Sequence, residues 1–207
     1  MKDLKNVPSI RFSGFNEPWE QRKFQELAEL RRGLTYKPSD IAKEGVRVLR
    51  SSNIVEDNFR QANDDVFVNE NAINIEMVKE NDILITSANG SPKLVGKHAI
   101  VCNLDKHAAH GGFMLLARTQ YPYFLNASMS SAWYEKFIRI NVTGGNGAIG
   151  NLKKSDLDDY KLCTPKDEEK CKIGNFFNRI DNLITLHQRK LDKLENIKKS
   201  LLDKMFV

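Results

Sequence analysis

Two hydrophobic patterns divide this chain. The first 160 residues carry short apolar runs set between Gly, Asn, Asp and Ser, and the last forty carry one sustained repeat. The runs Val46–Leu49, Val66–Val68, Ile83–Thr86, Ala99–Cys102, Phe113–Ala117 and Phe137–Val142 have strand length and turn-forming flanks, so each predicts a strand. Residues 1–18 hold Pro8, Gly14 and Pro18 without periodicity and predict an extended lead-in. Trp19, Phe24, Leu27 and Leu30 predict a short helix or a strand and turn, stopped at Gly33, and residues 37–40 (KPSD) predict a turn. Phe124, Leu125, Met129 and Ala132 share one face of a helix predicted over 121–135. Short strands with interspersed helices predict an α+β domain over 19–164, built on a twisted mixed or antiparallel sheet.

The C-terminal pattern predicts a long helix over 165–207. Thr164 is placed to cap it, Pro165 suits the first helical position, and Asp167, Glu168 and Glu169 favour the positive end of the helix dipole. Alternating steps of four and three residues pass through Ile173, Phe177, Ile180, Ile184, His187, Leu191, Leu194, Lys198, Leu201 and Met205, of which eight are apolar. A 3.5-residue repeat of this length is a coiled-coil seam. Phe176, Leu183 and Ile197 widen the stripe, as they would for a helix lying on its own domain. At 1.5 Å per residue the helix reaches roughly 50 Å, more than one domain of this size covers, so a helical partner is expected.

Composition adds bounds. The 207 residues are 41% hydrophobic and 29% charged, as in a chain with a real core. No run of eighteen apolar residues exists and the N-terminus lacks an apolar signal-peptide core, which predicts a cytoplasmic protein without a membrane partner. Cys102, Cys163 and Cys171 are odd in number and scattered, which predicts reduced thiols, and no metal site is expected from them. The net charge of +5 is mild, but its distribution is uneven. Residues 22–50 carry net +4, 51–82 net −6 and 87–118 net +3, which predicts a basic face and an acidic back.

Motifs for catalysis or cofactors fail in context. Gly145 to Gly150 matches G-x-G-x-x-G, but the polar stretch Asn151 to Asp156 follows where an apolar helix is needed. Gly90 to Gly96-Lys97 has five intervening residues where a phosphate loop has four, and His98 stands in place of Ser/Thr; a loop between Thr86 and Ala99 is expected instead. Glu168-Glu169-Lys170 sits at a helix start and not on a strand beside a metal-binding Asp. His107 and His110 lack an obvious third ligand and are expected at the surface or facing a nucleic acid. No cofactor and no catalysis are expected.

Several segments, taken in order, resemble the specificity subunits of type I restriction–modification systems. Trp19-Glu20, Phe24, Leu27 and Arg32-Gly33-Leu34-Thr35 are similar to the opening of the recognition domain, and Val46 to Ile54 to its next strand and turn. Asn81 to Thr86, with Gly90-Ser91 and Gly96-Lys97, resembles the central strand and glycine loop. Gly147 to Leu152, Leu157 and Thr164-Pro165 resemble the exit from the domain, and Glu168 to Ile173 and Leu201 to Phe206 the two ends of the spacer helix. A glutamine often found after the acidic residue there is replaced by Glu169 or Lys170. The resemblance covers nearly the whole chain. It implies a non-catalytic subunit that binds double-stranded DNA and positions methyltransferase subunits and a motor-nuclease restriction subunit. Full-length members have two recognition domains and two spacer helices, so this chain, with one of each, is expected to be a half-length subunit reading one half of a bipartite target.

Reading base edges needs Arg for guanine and Asn or Gln for adenine, with Lys, Ser, Thr and backbone N–H groups on phosphates. Polar loops in and beside the basic blocks supply four candidate sets. They are Arg31, Arg32, Thr35 and Lys37; then Arg50, Ser51, Ser52 and Asn53; then Ser87, Asn89, Ser91 and Lys93; then Thr143, Asn146 and Lys153 in a glycine-rich loop. At most half are expected to touch DNA. Phe177, Ile180, Ile184, His187, Leu191, Leu194 and Leu201 are the expected contacts of an antiparallel homodimer through the C-terminal helix, with the polar His187 setting its register. Two other readings stay open: a recognition module of a fused methyltransferase–nuclease, and a coiled-coil scaffold without DNA binding.

Overall fold

A computed structural model describes residues 6–142 and 149–206. The chain enters through an extended segment and forms β1 (Glu20–Lys23), the one-turn helix α1 (Phe24–Leu27) and β2 (Glu29–Arg32). A 3₁₀ turn at Pro38–Asp40 leads to β3 (Ile41–Ala42) and β4 (Val46–Leu49). A second turn at Ser51–Asn53 leads to the hairpin β5 (Ile54–Val55) and β6 (Asn58–Phe59), then β7 (Val66–Val68). Next come β8 (Ile83–Thr86), β9 (Ala88–Asn89), β10 (His98–Ile100), β11 (Ala108–His110) and β12 (Met114–Arg118). Helices α2 (Pro122–Met129) and α3 (Ala132–Asn141) follow, then β13 (Gly150–Asn151), α4 (Lys154–Asp158), β14 (Lys161–Thr164) and α5 (Asp167–Met205).

Two four-stranded sheets and a helical layer share the core. The central sheet is antiparallel in the order β10-β8-β12-β2, and the second is mixed in the order β11-β4-β7-β3, with β11 parallel to β4. Strand alternation decides what each face buries. Leu30, Ile83, Ile85, Leu115 and Ala117 point to the helices, where they meet Leu125, Met129, Tyr134 and Phe137. Leu84, Met114 and Leu116 point the other way, onto Leu49 and Ala108 of the second sheet. With both faces covered, β8 is apolar throughout except Thr86 and wholly buried. The α+β fold expected from the pattern is the observed one.

Several local expectations change. The helix predicted over 121–135 is two helices, because Ser130 and Ser131 turn the chain, with Ser131 Oγ donating to Ser128 O at 2.7 Å. The strand predicted at 137–142 is helical: Phe137, Ile138, Ile140 and Val142 fit either period, and α3 wins because Tyr134 and Phe137 then enter the core together. The loop expected between Thr86 and Ala99 holds β9, a 3₁₀ turn at Pro92–Leu94 and the start of β10. Thr164 does not cap the last helix. It ends β14, paired with Glu20 of β1, and α5 starts at Asp167 after Lys166. Among the described residues no helix is long and apolar enough to cross a membrane.

Candidate nucleic-acid interface

The turn His110–Met114, between β11 and β12, gathers the candidate loops. Leu34 N donates to His110 O at 2.7 Å and fixes the loop after β2. Gly111 N donates to Leu49 O at 2.8 Å and fixes the loop after β4. Ser87 N and Ala88 N both donate to Phe113 O, at 2.9 and 3.0 Å, and fix the loop after β8. Glycine is required at position 33, where these backbones cross, and position 112 is tight. A Cβ on Gly33 would lie 1.9 Å from Gly111 O, and one on Gly112 would press on Leu34 O at 3.3 Å. The segment from Ile149 onward joins through β13, whose Gly150 pairs with Asn89, and Leu152 N donates to Ser87 O at 2.7 Å.

These loops enclose an open cleft of about 630 Å³. Thr35, Tyr36, Ile41, Arg50, Ser51, Asn89, Gly112, Phe113 and Ile149 are among its lining residues. Thr35, Arg50 and Asn89 of the sequence candidates, with Ser51, therefore share one surface although up to 54 positions separate them in sequence. Asn89 Nδ2 donates to Ser51 Oγ at 3.0 Å and ties two of the sets together. A buried network sets the Arg50 backbone. Asn53 Oδ1 accepts from Arg50 N at 2.7 Å, and Asn53 Nδ2 donates to Asp65 Oδ1 at 2.8 Å and to Arg60 O at 2.9 Å. Asp65 in turn accepts from Arg47 Nη1 at 2.5 Å and from Ala62 N at 2.9 Å.

The other candidates are placed differently. Asn53 is fully buried with its amide engaged, and Ser87 is buried, so neither side chain is presented to a ligand. Arg31 is drawn away by carboxylates: it pairs with Glu29 at 2.8 Å and with Glu76. Arg32, Lys37, Ser52, Ser91, Lys93 and Lys153 are exposed but do not line the cleft. Thr143 and Asn146 lie outside the described residues. His110, expected at the surface or facing DNA, is buried with Nε2 3.3 Å from Arg31 O, and burial pushes its imidazole down to about 4.

The acidic segment is not a separate back. Four of its eight carboxylates are stapled onto cations of the basic blocks: Glu76 and Asp82 onto Arg118, Asp65 onto Arg47, and Asp57 onto Lys97. Lys79, Arg31 and Arg118 together hold the Glu76 carboxyl down to about 2. The cations left without an ion-pair partner among the described residues include Arg32, Lys37, Arg50, Lys93 and Lys153. Arg50 is the one inside the cleft, and its Nε is buried without a partner. Sequence reasoning missed Phe113, assigned to a strand that in fact begins one residue later. It also missed Tyr36, Ile41 and Ile149. The Gly111-Gly112 pair before an apolar run was the available signal for a turn.

A second surface lies on α5. Its first turns are held from two sides. Gly174 packs against α2 so closely that a Cβ would lie 2.7 Å from Phe124 N. On the other side the lead-in straps the helix: Arg11 donates to both oxygens of buried Glu169, at 2.7 and 2.8 Å, and the Phe12 ring meets Phe176 edge-on. Beyond these contacts the helix leaves the domain. Over its whole length, 39 residues span about 58 Å. Phe177, Ile184, Leu191, Leu194 and Leu201 are 43–63% exposed, His187 is exposed and Ile180 half-buried, so the seam expected from the sequence is uncovered within this chain.

Comparison with known proteins fits this arrangement. A chain from a structure on complex assembly and conformational transition of the type I R-M system superposes with TM-score 0.65 at 15% identity, covering 91% of this chain and 45% of that one. The HsdS subunit from Thermoanaerobacter tengcongensis gives 0.60 at 14% identity, covering 98% and 48%. The type I restriction–modification S subunit from M. genitalium gives 0.51 at 16%, covering 93% and 45%. At these identities the likeness is one of fold, and the chain spans about half the length of the structures it matches. Residues 16–196 match the type I restriction modification DNA specificity domain, and the chain belongs to that family.

Proposed function

We propose that this chain is a DNA-recognition subunit of a type I restriction–modification complex, acting in the cytoplasm. Residues 19–164 read one short half of a bipartite target, and residues 165–207 form the spacer. The observation that carries this reading is the cleft, where four other segments of a specificity-domain fold meet around Arg50, a cation with no carboxylate partner among the described residues. Thr35, Ser51 and Asn89 supply short polar groups beside it, suited to phosphate oxygens and base edges. Arg32, Lys37, Lys93 and Lys153 are exposed cations outside the cleft that can meet flanking phosphates.

Two copies supply the two halves of the target. The uncovered stripe of α5 pairs antiparallel with that of a second copy, which a two-fold axis closes. Phe177, Ile180, Ile184, Leu191, Leu194 and Leu201 fill the seam, and His187 lies near its middle. The length of about 58 Å exceeds one B-DNA turn of about 34 Å, so both recognition domains reach one duplex face. The target is then palindromic with an unread gap. Methyltransferase and restriction subunits supply the chemistry, and this chain alone neither methylates nor cleaves DNA.

Binding of duplex DNA by the purified chain across a salt series tests the reading. The logarithm of affinity should fall linearly with the logarithm of salt, by roughly one unit per phosphate contact. Absence of binding at 50 mM salt would overturn it.

A further inference from the structure

The cleft that carries the proposed function has an apolar element which phosphate contact does not use. Phe113 is 66% exposed, and its neighbours in the lining, Ile41 and Ile149, are more than half exposed. Phe113 adds little to the core, yet few residues are held so firmly by the backbone. Its carbonyl accepts from Ser87 N and Ala88 N, Gly112 before it abuts Leu34 O, and Met114 after it enters the buried strand β12. The turn that aligns the loops thus presents a phenyl ring in the cleft that Arg50, without an ion-pair partner among the described residues, also lines. A ring fixed in this way loses little backbone freedom when it makes a contact.

We infer that Phe113 is a specificity-determining residue that reads a thymine through its C5-methyl group. The inference rests on the DNA-recognition reading above. Charged phosphates offer a phenyl ring no matching partner, and sugars, alike at every nucleotide, offer it nothing to discriminate. In the major groove the one apolar group on a base edge is the thymine methyl, which apolar side chains recognise, while Arg recognises guanine. An exposed Phe in one cleft with a cation that has no carboxylate partner among the described residues therefore suits a T·A pair near a G·C pair.

The test selects duplexes from a randomised library with the full chain, then replaces each thymine of the consensus singly by uracil, which lacks only the methyl. At one position the wild type should lose about fourfold in affinity, the worth of one buried methyl group. The Phe113→Ala variant should bind the thymine and uracil duplexes equally at that position, with an unchanged unfolding temperature because the side chain is exposed. The inference is overturned if no uracil substitution weakens the wild type, or if the discrimination persists in Phe113→Ala. A Phe113→Ala loss that falls on every duplex, with thymine discrimination intact, would mark a wedge between bases and also overturn it. Selection of no consensus by the wild type would overturn the DNA-recognition reading itself.

Discussion

The cleft and the distal half of α5 both expose large apolar side chains, yet the two surfaces are held in different ways. In the cleft, Phe113 and Ile149 sit on loops fixed by long-range backbone hydrogen bonds and glycine crossings, with polar groups between them. On α5, Ile184, Leu191, Leu194 and Leu201 repeat along the part of the helix beyond its contacts with α2 and the lead-in, and all four are exposed among the described residues. The first surface is finished before any ligand arrives. The second is a continuous stripe whose burial requires another helix. The difference teaches that exposure alone does not assign a role: the spacing of the exposed groups and the fixing of their backbone distinguish the surface proposed to read DNA from the surface proposed to pair two copies.

The comparison breaks most sharply on α5. Leu191→Asp should weaken self-association by about 3–6 kcal/mol, since each copy loses about 1.5–3 kcal/mol of burial, while thermal unfolding of the recognition domain stays put. Light scattering with a parallel melting curve checks both. A monomer at tens of micromolar for the wild type would remove the assembly role from this surface.

Asp65→Ala addresses the other side. It leaves Arg47 buried with Asp105, at 3.1 Å, as its one charged partner among the described residues, and removes one of the three hydrogen bonds that hold the Asn53 amide under Arg50. A loss of about 3–5 kcal/mol in denaturant unfolding is expected, without a change in self-association beyond that of the folded fraction. Asp65→Asn, which keeps an acceptor for Asn53, should be milder.

Acid should loosen the cleft before it loosens the helix. Burial depresses His110 to about 4 when folded, against about 6.5 for a free imidazole, and depresses buried His98 in the same direction. Between these values the unfolded chain binds more protons, so stability is full above about 6.5 and is lost as pH falls toward 4. Unfolding at pH 5 should cost about 1–3 kcal/mol less than at pH 7.5, and His110→Gln should flatten that dependence.

Sequence patterning located the long C-terminal helix with its apolar stripe and most core strands because a helical stripe and a buried strand write their environment into neighbouring residues. Ile83–Thr86 and Leu191–Leu201 needed no tertiary information. The cleft was legible only in part. Arg50 and Asn89 stood out as polar loop residues, but their meeting at the His110–Met114 turn depends on hydrogen bonds between distant segments. Arg31 and Arg50 both stood as candidates in sequence, and only the fold shows that Glu76, 45 positions away, pairs with the Arg31 guanidinium. Asn53 read as a base contact for the same reason that makes it a good buried bracket: an amide both donates and accepts. Phe137–Val142 fits both periods, and only the packing of Tyr134 with Phe137 decides for the helix.

The central claim is that the cleft around Arg50, and not the basic sequence blocks as such, meets DNA. Equilibrium titration of one duplex with wild type, Arg50→Ala and Arg31→Ala at several salt concentrations tests it most directly. The account predicts a loss of about 1–3 kcal/mol for Arg50→Ala if it reads a guanine, or a salt slope lower by about one if it holds a phosphate, and wild-type behaviour for Arg31→Ala. Wild-type binding by Arg50→Ala together with a loss in Arg31→Ala would contradict it.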